Sequence, residues 1–253
     1  MFAGLLALAT AVTAITTPVG PLRYKIEMKS SQEVDLSAMG AGKQVGEISA
    51  VAFLSVTMSD SAAGQLAHIV VDSMTLEPTG SMAAAYDPTT AAGAKGGFYH
   101  VYVVGGKVQG TPTPSVSGNP ALSILAQAVT VMFPGTTRAG LKSGDSYTDT
   151  TTSTATTDAG TNNSTAVTVW TMKGMEGDAM MLEGESNGKM TIDGGQTAVS
   201  GTNKGTRKMT STAKGPVKNA VINTTVDLAA VPSGMSDVIP VKGTSSLTVT
   251  LLP

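Results

Sequence analysis

Two histidines, His68 and His100, are the side chains best suited by type to act near neutral pH, as acid, base or metal ligand. Each lies in an alternating apolar run, Leu66-Ala67-His68-Ile69-Val70 and Phe98-Tyr99-His100-Val101-Tyr102. If those runs are neighbouring strands the two rings can meet and, with Asp72, form a metal site or an acid–base pair; if they are not, each is an isolated strand residue. Asp145, Asp149 and Asp158 offer oxygen ligands for a hard cation such as calcium, or are three solvated carboxylates of a Thr-rich hairpin. Trp170, the only tryptophan, anchors either a core face or an interface.

Other chemistry is excluded by what is missing. There is no nucleophile elbow, phosphate-binding loop, HExxH helix, EF-hand loop or dinucleotide glycine fingerprint. Gly106-Lys107-Val108 is a hairpin exit, lacking the spaced Gly and the Ser or Thr of a phosphate loop. The absence of cysteine removes thiol catalysis, thiolate metal sites, disulfides and a lipid-bearing N-terminal cysteine. A charged fraction of 13% and a net charge of -2 leave no footprint for nucleic acid or an anionic surface. No catalytic, cofactor or metal residue is therefore assigned, and no cofactor is expected.

The elements that must position these residues are strands. From Leu22, the apolar Leu22, Tyr24, Ile26 and Met28 alternate with Arg23, Lys25, Glu27 and Lys29, a period of two with one solvated face. Such strands belong to antiparallel sheets. The pattern recurs over 46–60, 65–77, 97–104, 146–157, 164–175, 178–185, 189–193, 201–213, 217–228 and 244–252. Turn chemistry separates the runs, and Asn187-Gly188 is the strongest hairpin signal because both residues tolerate positive φ. One segment reads as helix: Asn119 as N-cap, Pro120 in the first turn, then Leu122, Leu125, Val129 and Met132 at helical spacing until Pro134-Gly135. Residues 81–96 and 157–163 read as loops. The expected fold is all-β: an antiparallel meander forming a curved sheet, half-barrel or sandwich over residues 22–253, with one short helix near 120–133. Val51 to Met58 are apolar on both faces whereas 146–225 are rich in Thr, Ser and Asn, so one half is expected to be covered and the other wet.

Residues 1–21 form a separate apolar segment. Phe2 to Ile15 suit a signal-peptide core and are short for a membrane span. Ala9-Thr10-Ala11 and Val12-Thr13-Ala14 supply small residues for cleavage, the leading expectation, while the missing basic flank means either a start further upstream or an atypical anchor with membrane contact through residues 1–17. An extracytoplasmic or periplasmic location is the expectation from either.

Three runs carry a resemblance: Val70 to Glu77, Met132-Phe133-Pro134-Gly135 through Gly144 to Thr150, and Thr244 to Leu252. Over residues 22 to 252 the chain resembles uncharacterised exported β-rich proteins of environmental bacteria. It is also similar to a periplasmic accessory subunit of a bacterial photosynthetic reaction-centre and light-harvesting assembly. The resemblance brings no catalytic residues; it implies a non-catalytic structural or accessory subunit whose partners are protein subunits of a membrane-associated complex. Two alternatives stand beside it: a periplasmic carrier for an apolar ligand, with Met28, Met58, Met74, Met180 and Met190 among its lining, and a hydrolase with His68 or His100 as base.

Overall fold

The computed structural model describes residues 21–253, apart from 63, 84–85, 87–88, 136–139, 158–159, 195–196, 213–214 and 235–236. The expected apolar N-terminal signal or anchor, up to residue 20, and Asp158 lie outside the described residues.

The alternation of the sequence becomes β1 (Leu22–Leu36), β2 (Gly42–Ser61) and β3 (Gly64–Gly80). A one-turn helix α1 (Thr89–Ala92) precedes β4 (Phe98–Val104) and the short β5 (Lys107–Gln109). Helix α2 (Pro120–Met132) follows, then β6 (Ser146–Thr157), β7 (Gly160–Glu176) and β8 (Ala179–Asp193). The chain ends with β9 (Thr197–Ser211), β10 (Val217–Pro232) and β11 (Ile239–Leu252). All eleven form one antiparallel sheet in the order β5-β4-β3-β2-β1-β11-β10-β9-β8-β7-β6. The sheet is open, with β5 and β6 at its edges. Two meanders are thus joined where the first strand pairs with the last, Arg23 opposite Leu252 and Val34 opposite Val241.

Helix α2 begins where the sequence places it. The Asn119 side chain accepts from the Ala121 and Leu122 amides at 2.9 and 3.3 Å, and Pro120 occupies the first turn. The chain leaves one edge of the sheet as β5 and enters the other as β6, so the helix between them lies across one face, against β10 and β11. Its Leu122, Leu125, Val129 and Met132 are fully buried there, and the Tyr99 hydroxyl of β4 donates to the Leu122 carbonyl.

The strands are longer than the core they carry. Tyr24 and Ile26 of β1, Ala52, Leu54 and Val56 of β2, Ile222 of β10 and Val249 of β11 are buried in the core at the end of the sheet that carries α2. The Tyr24 hydroxyl reaches past β11 to donate to the Val217 carbonyl of β10 at 2.7 Å, and burial raises its pKa. Three bulges among the described residues keep the inward faces in phase, one of them at Lys218, where β10 passes from an inward Val217 to inward Ala220 and Ile222. An extra residue at Asp72 switches β3 from odd inward positions (Ala67, Ile69, Val71) to even (Met74), and another interrupts β7 between Met172 and Gly174.

Four sequence expectations need correction. Asn187-Gly188 is not a turn: it sits inside β8, paired with Val167 and Ala166 on one side and Lys204 and Asn203 on the other. Its glycine answers a close approach instead, since a Cβ at 188 would stand 2.5 Å from Asn203 Oδ1 and 2.9 Å from the Thr165 carbonyl. Residues 160–163 belong to β7 and not to a loop. Within 81–96, Ala91 and Ala94 are buried in the core around α1. Val51 and Phe53, on the face of β2 away from the core, stay half-exposed, so the apolar half is covered on one side.

Candidate functional site

Strand register divides the helix-bearing, concave face into three zones. The first is the core under α2. The second is a polar waist, where Asp149, Thr168, Ser186, Gly205, Thr224, Ser245, Ser30 and Ile48 stand in one row across eight strands. The next row holds Gly188, Gly243, Gly46 and Gly80 beside Asn203 and Gln32. A groove of about 770 Å³ follows this waist from Ile48 of β2 to Ser186 of β8, so the sheet curls far enough to bring strands five places apart onto one depression.

The third zone is apolar again. Met190, Leu228, Val241 and Val34 line up on the same face, and beyond them Ile192, Val199, Ala230 and Ile239. Ile239 is buried and the others are half-buried, chiefly against one another. Among the described residues no helix or second sheet lies over this distal band; α2 reaches β10 and β11 only at the core end. A sheet face lined by aligned aliphatic side chains ordinarily packs against another layer.

The two histidines meet. His68 and His100 are directly opposite on β3 and β4, on the convex face, with His68 Nδ1 2.7 Å from His100 Nε2. Phe98 packs beside both rings, at 5.2 and 5.0 Å between centroids. Asp72 does not join them: it lies four residues along β3, about 13 Å at strand rise, and accepts from the Ser55 hydroxyl at 2.7 Å. Nor do the aspartates converge. Asp145 accepts from the Lys142 amide at 2.8 Å in the turn before β6, while Asp149 faces the concave wall. Among the described residues no group of three or more His, Cys, Asp or Glu is arranged to hold a metal.

Trp170 is a core residue, 2% exposed, its ring lying over Gly184, where a Cβ would come within 2.8 Å of it. Next in the same row stands Arg207, which sequence reasoning passed over. Its Nε and the Trp170 Nε1 are buried without a hydrogen-bond partner. Burial draws the Arg207 pKa down, and the charge of Asp149 opposes that. Strand parity could have shown an arginine on the inward face, since Met209 and Ser211 share its side. The five methionines are not brought together as a lining. Met74 and Met180 are buried in the core and Met58 packs on its margin, Met28 lines a cleft of about 380 Å³ between α2 and the sheet, and Met190 belongs to the distal band.

No family model matches the chain, and no curated protein matches it. Among solved structures it is similar to OpdQ of Pseudomonas aeruginosa, at 8% identity over 92% of this chain and 99% of that one. The TM-score is 0.25, a likeness too slight to assign a shared fold.

Proposed function

We propose that the chain is a non-catalytic accessory subunit on the extracytoplasmic side of a membrane complex, whose distal concave band is covered by a partner subunit. The observation that carries this reading is the second apolar zone. Met190, Leu228, Val241 and Val34 repeat the pattern of a core but lack the helix that makes the first zone one. Fully burying side chains of this size is worth about 1.5–3 kcal/mol each, and since these are half-buried, the remaining part of that is binding energy left for another polypeptide. The uncharged Thr and Ser of the waist supply hydrogen bonds without the desolvation cost of ions.

Geometry adds a height. Residues 1–20 precede β1 at the core end, and Val34 lies twelve residues further along, about 40 Å at strand rise. An N-terminus held at a membrane would therefore present the distal band well clear of the surface, toward the extracytoplasmic bulk of a partner. The resemblance to a reaction-centre accessory subunit makes photosynthetic membranes the first place to look for it. Affinity purification from native membranes should recover stoichiometric partners that Leu228→Asp and Val241→Asp lose while remaining folded. A monodisperse free monomer in the soluble extracytoplasmic fraction overturns the reading.

The carrier reading rests on a different observation: the cleft beside α2, floored by Met28, Ala50, Ile124 and Leu247, opens onto the waist groove. Native mass spectrometry after mild extraction separates the two, since a carrier retains a lipid-sized adduct and an accessory subunit retains protein.

A further inference from the structure

From the cross-strand pair on the convex face we infer that His68 and His100 form a two-ligand chelate site for a borderline divalent transition ion: Zn²⁺, Ni²⁺ or Cu²⁺. The pair stands apart from the concave surface and does not rest on the accessory-subunit reading. Three observations carry it. The ring nitrogens already converge at 2.7 Å, so one ring donates to the other and neither needs a new rotamer to share a ligand. Backbone pairing on β3 and β4 holds the two Cα positions opposite each other, which pre-organises the chelate. Phe98 flanks both rings, and His100 is solvent-exposed with His68 half-buried, so the nitrogens are oriented yet reachable.

The chemistry needs little movement. Imidazoles on a tetrahedral ion at ~2.0–2.1 Å place their nitrogens roughly 3.3 Å apart, a widening of about half an ångström from the hydrogen-bonded spacing. The donating ring takes its other tautomer, moving its proton to the nitrogen that faces away. Both rings stay neutral and the metal replaces the shared hydrogen as the bridge. No third His, Cys, Asp or Glu stands close among the described residues, so the remaining positions are open to water or to a donor from another molecule. Imidazole ligation selects this group of ions over Mg²⁺ and Ca²⁺, with Cu²⁺ the tightest.

The two histidines are the only ones in the chain, which makes the test clean. Protein carrying no added histidines is titrated calorimetrically with ZnCl₂ and NiCl₂, beside His68→Gln, His100→Gln and the double variant. The expected result is one site per chain, weakened roughly tenfold or more by either single substitution because a chelate becomes a single contact, and lost in the double variant. Ring proton resonances of both histidines in the unsubstituted protein should shift together on adding Zn²⁺, a readout that survives if a variant fails to fold. Equal affinity in His68→Gln, or no binding with ring signals unmoved at millimolar metal, overturns the assignment.

Discussion

Leu125→Ala and Leu228→Ala, measured side by side, test whether the core occupies one end of the sheet only. Leu125 is fully buried between α2 and the strands, so its truncation removes buried methyl groups and leaves a cavity that the helix can close only in part. Such changes cost about 2–5 kcal/mol. For a domain of this size each kcal/mol is worth roughly 2–4 °C in Tm, so a loss near 3 kcal/mol lowers Tm by about 6–12 °C. Leu228 is half-buried on the same face with no helix above it among the described residues. Truncation there forfeits part of the ~1.5–3 kcal/mol of a full burial and opens no closed cavity, which puts its cost below about 1 kcal/mol. Chemical and thermal unfolding of the isolated protein should therefore separate the variants at least about twofold in free energy. If Leu228→Ala costs as much as Leu125→Ala, the distal band is already covered in the isolated chain and the case for a partner there fails.

Two further outcomes follow from the strands. Gly188→Ala should destabilise by about 1–3 kcal/mol through overpacking, and Asn203→Ala in that background should return part of the loss, because Asn203 Oδ1 is the nearest atom to the new Cβ; additive effects in unfolding experiments would show that residues 187–188 do not lie inside β8. The Glu183 carboxyl accepts from Lys208 and Lys173, which lowers its pKa. A depressed carboxylate contributes stability that is present above its unfolded value and is lost as pH falls through the folded one, so its NMR midpoint should lie below that of an ordinary glutamate and return on Lys173→Met with Lys208→Met; an unmoved midpoint refutes the pairing.

What was legible follows from how local each signal is. Helix α2 could be placed within a residue because Asn119, Pro120 and Pro134 act on their own neighbours in the chain. β1 could be read only to Lys29. Beyond it Ser30-Ser31-Gln32-Glu33 lose the apolar–polar alternation, since at the waist both faces meet polar surroundings, and there the strand is held by β2 and β11 instead of by burial. Pro78 would argue against strand, yet β3 pairs there with β2 alone, so the missing amide costs no ladder bond. The Asn187-Gly188 error has the same root: a glycine that permits a turn also permits two strands to close on each other, and only the partners at Asn203 and Thr165 decide which.

The histidine pair marks the boundary of that reasoning. Alternation places His68 and His100 on strands and their neighbours fix the face, but their meeting depends on a register between residues 32 apart in the chain, set by the connection through α1 from β3 to β4. The distal band depends on more. Val34 and Val241 meet because the first and last strands pair, and Met190 reaches their row only through β9 and β10. Met190 stands between Lys189 and Thr191 and Val34 between Glu33 and Asp35, while Leu228 begins a run to Pro232 that is apolar on both faces, so none of them marks this face locally. A surface assembled from one or two side chains per strand leaves no local motif, and so a sheet of this kind conceals its interaction face in the sequence while displaying it in the register.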